Sequence, residues 1–91
     1  MAKKENWEIV LTKPAEKVYD KAPKDIRQRF DRCFEELEEN PFYGSNIKQL
    51  TGQLKGLYRH RVGDWRIIYR LFKDKMSVEI IAILPREDAY R

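Results

Sequence analysis

The chain predicts a small single α+β domain, residues 1–91, in the order β-α-α-β-β-β. Two N-terminal helices should pack on one face of a mainly antiparallel twisted sheet. Three observations lead there. Helical periodicity and proline-led turns fill residues 13–40, while three alternating apolar runs crowd into residues 57–84. A length of 91 residues supports one modest core and no second.

The elements follow in order. "WEIVL", Trp7 to Leu11, alternates as a strand with Trp7, Ile9 and Leu11 on one side. "KPAEKVYDKA" gives a short helix, because Pro14 suits a first turn whose N–H groups have no intrahelical partner. Pro23 opens a longer helix in which Ile26, Phe30, Cys33, Phe34 and Leu37 recur at helical spacing, so one stripe faces a core. Asn40-Pro41 ends it. The stretch 41–56, with Gly44, Gly52 and Gly56, predicts a loop with little regular structure. Strands follow over roughly 57–62, 65–72 and 76–84, joined by tight turns at Gly63-Asp64 and near Asp74.

Composition narrows the function classes. Hydrophobic residues make up 42% of the chain and charged residues 37%, the range of a chain that can bury a core. "MAKKENWEIV" has no apolar segment of the secretory kind, and no run reaches membrane-spanning length. The single cysteine, Cys33, excludes an internal disulfide and a multi-cysteine zinc site. These features predict a cytoplasmic protein with no metal or small-molecule cofactor. The net charge of +4 is uneven: residues 1–45 carry nine Lys/Arg against ten Asp/Glu, and residues 46–91 carry ten against five. A basic surface confined to one half suits a nucleic acid or an acidic protein, or serves only as a solvated face.

The hairpin "LYRHRVGDWRIIYRLF" decides between these. A two-residue loop with glycine first, the type II′ arrangement, pairs Val62 with Trp65, Arg61 with Arg66, and Arg59 with Ile68. Alternation sends Tyr58, His60, Val62, Trp65, Ile67, Tyr69 and Leu71 to an apolar core face. Arg59, Arg61, Arg66 and Arg70 go to the other. Arginines facing each other across a strand pair cost up to roughly 1 kcal/mol. An anion offsets this, and guanidinium forks match phosphate oxygens. The competing reading pairs these arginines with Glu79, Asp64 or the acidic run Glu35, Glu36, Glu38 and Glu39, most readily for Arg70. Parity makes His60 a packed, hydrogen-bonded core histidine rather than a general base, and Cys33 a small core residue. Lys48 and Lys55, in the loop before the hairpin, either join the basic surface or merely solubilise it. The tail adds Arg86, Tyr90 and Arg91, an aromatic ring among cations that suits stacking on an unpaired base or covers a sheet edge.

The pattern "LKGLYRHRVGDWRIIYRL", followed by a strand and an Arg-x-x-x-Tyr ending, resembles the RelE/ParE superfamily of toxin–antitoxin toxins over nearly the whole chain. It is more similar to RelE than to ParE. The resemblance implies a RelE-like fold and a toxin that cleaves messenger RNA in the ribosomal decoding site. It also implies a cognate antitoxin, with ribosome and mRNA as further partners. It places Arg59, Arg61, Arg66, Arg86 and Tyr90 in the catalytic set, with Lys48, Lys55, Arg70 and Arg91 on the RNA-binding surface. Attack by a ribose 2′-OH on the adjacent phosphate is the implied chemistry. Arg59 and Arg61 stand where the best-known RelE toxins carry lysine, and Pro85 stands where many relatives carry histidine. An arginine does not serve as a base, so this set stabilises charge and lacks a neutral proton acceptor. Two alternatives stay open: a ParE-like inhibitor of DNA gyrase without nuclease activity, and a catalytically weak toxin that retains only antitoxin or RNA binding.

Overall fold

Thr12 joins the first two elements, β1 (Glu8–Leu11) and α1 (Lys13–Lys21). Its hydroxyl oxygen accepts the Ala15 N–H at 3.4 Å and its O–H donates to the Ile81 carbonyl at 2.8 Å. One side chain thereby caps a helix and fastens it to the last strand. The computed structural model describes residues 6–85. Within them α2 (Lys24–Glu39) follows Pro23, then come β2 (Ile47–Gln49), a single 3-10 turn (Gly52–Leu54), β3 (Leu57–Val62), β4 (Trp65–Phe72) and β5 (Ser77–Pro85).

The apolar stripe of α2 is as expected. Phe30, Cys33 and Leu37 are buried, with Ile26 and Phe34 packed half-buried beside them. Asn40 leaves the helix in an extended conformation, and its side-chain oxygen accepts the N–H of Phe42 at 2.9 Å and of Tyr43 at 3.3 Å. That local bond competes with further helix, and Pro41 completes the stop.

The sheet order is β1-β5-β4-β3-β2, with β1 parallel to β5 and the other neighbours antiparallel. Two helices between β1 and the meander supply the crossover a parallel pair requires. The β3–β4 register is the expected one, with Val62 opposite Trp65 and Arg61 opposite Arg66. Gly63 takes φ +57°, as the first position of a type II′ turn demands. In β5 a bulge leaves Ile81 without a partner between Ala82 and Ile80, which face Ile68 and Tyr69. Thr12 bonds the carbonyl of that extra residue.

One difference from the sequence expectation lies in residues 41–56. Ile47–Gln49 forms an edge strand, with Ile47 opposite His60 and Lys48 opposite Arg59, where a loop was expected. Three residues are too few to display a period of two, so only the exposed edge of β3 reveals the pairing.

The core lies between the helices and one sheet face. Phe30, Leu37, Ile67, Tyr69, Val78 and Ile80 are fully buried, each contributing about 1.5–3 kcal/mol. Phe30 meets Trp65 edge-on at 5.4 Å, and Tyr58 stacks on Tyr69 at 5.4 Å. The Tyr69 hydroxyl donates to the Pro41 carbonyl at 2.7 Å, tying the end of α2 to the middle of the sheet. Burial pushes the Tyr69 hydroxyl well above its ordinary pKa.

Candidate functional site

Alternation along β3 and β4 turns a second set of side chains away from the helices. Opposed residues share a face, so the register builds it row by row. Lys48, Arg59, Ile68 and Ala82 form one row, and Arg61, Arg66 and Leu84 the next toward the Gly63 turn. Leu57, Arg70, Glu79 and Val10 form a third at the far end. The structure therefore brings Lys48, Arg59, Arg61, Arg66 and Arg70 onto one open face.

They are not equivalent. Arg61 and Lys48 are exposed and Arg59 is half-buried, while Arg66 is only 7% exposed. The Arg59 Nε is buried and makes no hydrogen bond among the described residues. A buried donor left in that condition costs about 1–3 kcal/mol unless a ligand or water accepts from it. Arg70 follows the competing expectation. Its Nη2 donates to Glu79 at 3.0 Å, and its guanidinium lies 5.2 Å from the Phe72 ring centre. It is thus partly neutralised, and the strong cationic end of the face is the end near Gly63. Lys55 stands in the turn that leads into β3, exposed and off the sheet.

Arg86, Tyr90 and Arg91 lie outside the described residues. Their point of departure is defined: β5 ends at Pro85 opposite Trp65, one position past the Arg66–Leu84 pair. The last described residue therefore lies at the cationic end of the sheet.

On the opposite face His60 is 4% exposed. Its Nδ1 lies 3.1 Å from the Arg61 carbonyl and its Nε2 3.2 Å from the Glu36 carboxylate. The ring thus lies between a β3 carbonyl and an α2 carboxylate. His60 is a structural link between α2 and β3, as parity implies. Cys33 is buried beside it, and desolvation, with the charge of Glu36 behind it, pushes its thiol up to about 12. The thiol is therefore a neutral core group. Among the described residues the open face combines charge stabilisation for an anion with one carboxylate pair, Arg70–Glu79, and no imidazole.

A feature that sequence reasoning missed is a groove of about 260 Å³ between α2 and the Gly63 turn. It is bordered by Arg29, Arg32 and Arg61. The arginines of α2 are three residues apart and share a helix face. Only the packing phase of α2 against β3 brings that face to the turn.

No helix among the described residues is long and apolar enough to cross a membrane. No curated protein matches the sequence. Among solved structures the chain is similar to an archaeal RelE in its complex with RelB from Pyrococcus horikoshii, at 28% identity, a TM-score of 0.76, and coverage of 88% of this chain and 94% of that one. It is similar to a RelBE toxin–antitoxin complex from Mycobacterium tuberculosis at 24% identity and a TM-score of 0.77, covering 89% of this chain and 99% of that one. A YoeB/ParE toxin from Agrobacterium tumefaciens matches at 18% identity and a TM-score of 0.77, covering 86% of this chain and 96% of that one. The last two likenesses are of fold. The family model for the ParE toxin of type II toxin–antitoxin systems matches residues 9–90, taking in the hairpin, both helices and every strand residue except Glu8. With that match over most of its length, the chain belongs to the ParE toxin family, within the RelE/ParE superfamily of type II toxin–antitoxin toxins.

Proposed function

We propose that the protein is a ribosome-dependent endoribonuclease toxin whose open face holds messenger RNA for cleavage. The observation that carries this reading is the register of Arg61 opposite Arg66, with Arg59 and Lys48 in the adjoining row. Clustered guanidinium groups on a rigid sheet are suited to a phosphate whose negative charge grows in the transition state. In the proposed step the ribose 2′ oxygen attacks phosphorus, the bond to the 5′ oxygen breaks, and the products are a 2′,3′-cyclic phosphate and a 5′-OH. The 2′ proton leaves to a base and the departing 5′ oxygen gains one. Arg61 and Arg66 stabilise the phosphorane-like charge, and Arg59 and Lys48 hold neighbouring phosphates. Arg86 assists with charge or with the leaving oxygen, and Tyr90 orients a base for in-line attack or moves a proton. Lys55, Arg70 and Arg91 extend the RNA-binding surface.

Because arginine holds its proton, the site depends on an ordered substrate, and translating ribosomes in the cytoplasm provide one. Solved relatives include toxin–antitoxin complexes. A cognate antitoxin is accordingly the proposed partner, an acidic or amphipathic segment that folds as it covers the toxin.

The test is primer extension on a translated message in a cell-free system. Wild type should cut in codon register, only with ribosomes present, and Arg61→Ala should not. Arg61 is exposed, so loss of activity there is not loss of fold. A message left uncut at stoichiometric toxin would remove the nuclease. The family match to ParE favours one second reading, inhibition of DNA gyrase. A supercoiling assay would then be the discriminating measurement.

A further inference from the structure

The groove between α2 and the Gly63 turn has the makings of a separate anion site. Arg29 and Arg32 project from α2, and both are exposed. Among the described residues neither side chain has an ion-pair or hydrogen-bond partner, and the same holds for the side chain of Arg61. Like charges three residues apart on a helix repel, by a few tenths of a kcal/mol in general. The nearest carboxylate bordering the groove is Glu36, and its Oε1 faces His60 Nε2 at 3.2 Å. The acid that could have neutralised the groove is held by the buried histidine.

The turn also accommodates the cluster. A Cβ on Gly63 would stand 3.3 Å from Arg29 Nη1, closer than side chains ordinarily pack. Glycine there serves the turn conformation and leaves room for the guanidinium as well. Asn46, which also borders the groove, accepts the Arg61 N–H at its backbone carbonyl at 3.0 Å, fixing the loop against the strand. The groove, about 260 Å³ and open to solvent, admits a tetrahedral anion with bridging waters.

Arg61 connects the two regions. Its side chain stands on the open face, and the residue borders the groove. We infer that the groove lined by Arg29 and Arg32 is a second phosphate-binding subsite, taking a backbone phosphate of the same RNA strand that lies across the open face and turns the sheet corner at Arg61. This rests on the RNA reading given above. An RNA strand fits better than an acidic polypeptide because its charges are evenly spaced and continuous. Such a ligand can occupy the face, Arg61 and the groove in succession. Guanidinium pairs grip phosphate through forked hydrogen bonds.

The test uses the full chain and a short oligouridylate with 2′-O-methyl riboses, which cannot be cleaved. Binding is followed by fluorescence anisotropy across a salt series. For a single strand, each phosphate neutralised contributes about 0.7 to the slope of log K against log salt. The double variant R29Q/R32Q should bind several-fold more weakly and lower that slope by about 0.7, while R29K/R32K should keep most of it. Thermal melts confirm that both variants are folded. If Arg61→Ala lowers the slope and R29Q/R32Q does not, the subsite is overturned and the RNA face stands. If no variant changes the slope, and wild type binds without salt dependence, the RNA reading itself falls and takes the subsite with it. If R29Q/R32Q keeps the slope but loses affinity for a purified acidic antitoxin peptide, the groove belongs to that protein and the inference is wrong.

Discussion

The two faces of the β3–β4 hairpin are made from the same fourteen strand residues, yet they obey different rules. The core face carries Tyr58, His60, Val62, Trp65, Ile67, Tyr69 and Leu71, and its two buried polar side chains, His60 and Tyr69, each meet a partner. Tyr69 reaches the Pro41 carbonyl, and His60 reaches Arg61 and Glu36. The open face carries Arg59, Arg61, Arg66 and Arg70, and there the satisfaction is uneven: Arg70 has Glu79, while the Arg59 Nε has no bond among the described residues. A face selected only for stability would show the first pattern on both sides. The contrast teaches that one parity of this hairpin holds the fold, while the other is the cationic face to which we assign the RNA.

Removing a core ring should produce the largest effect on this contrast. Phe30→Ala empties a fully buried site against Trp65 and should cost about 3–5 kcal/mol of unfolding free energy. Chemical denaturation measures it directly. Arg61→Ala should move that same quantity by no more than about 0.5 kcal/mol, because the side chain is exposed. Its cleavage rate should fall by about 100-fold or more, the scale for losing one charge-stabilising donor. If Arg61→Ala instead lost stability and kept its activity, the division of labour between the faces would be broken.

The core side can be sharpened with pH. The Cys33 thiol keeps its proton in the folded state up to about 12, because it is desolvated and lies near Glu36. In the unfolded chain the same thiol ionises near its ordinary value of 9.0. Below that pH both states hold the proton, and stability does not depend on it. Above it the unfolded state alone releases the proton, so folding stability falls as pH rises. The limiting slope is about 1.4 kcal/mol per pH unit. Cys33→Ala removes this term. The variant should be less stable than wild type by about 1 kcal/mol at neutral pH, and the difference should vanish within about one unit above pH 9 and then reverse, leaving the variant the more stable protein as pH approaches 12. A difference that stays constant over that window would show a thiol in contact with solvent.

Much of this was legible from the residues. The glycine-first turn set the register, the register set parity, and parity placed Arg59, Arg61, Arg66 and Arg70 on one face. Parity names a face but not a depth. It could not tell exposed Arg61 from Arg66, which is only 7% exposed. Depth depends on which neighbouring rows rise around a side chain. The strand β2 stayed hidden because three residues cannot show alternation. The groove at Arg29 and Arg32 stayed hidden because helical spacing fixes which residues share a face, but not where that face points once α2 docks.

The smallest expected effect tests the one place where the open face resembles a structural one. Arg70 and Glu79 sit opposite each other at 3.0 Å, with side chains 52% and 29% exposed. Solvent screens such a pair, and ordering two long side chains offsets part of the attraction. A double-mutant cycle on Arg70→Ala and Glu79→Ala should therefore give a coupling of about 0.2–1 kcal/mol that weakens with added salt. Glu79→Ala should also free the Arg70 guanidinium, though it remains near the Phe72 ring. RNA binding by that variant should strengthen by about 0.7 in salt slope if Arg70 then meets a phosphate. An unchanged slope would mean that the anion stops short of the Leu57–Arg70–Glu79 row. The working site would then be confined to the rows of Arg59, Arg61 and Arg66, nearest the Gly63 turn.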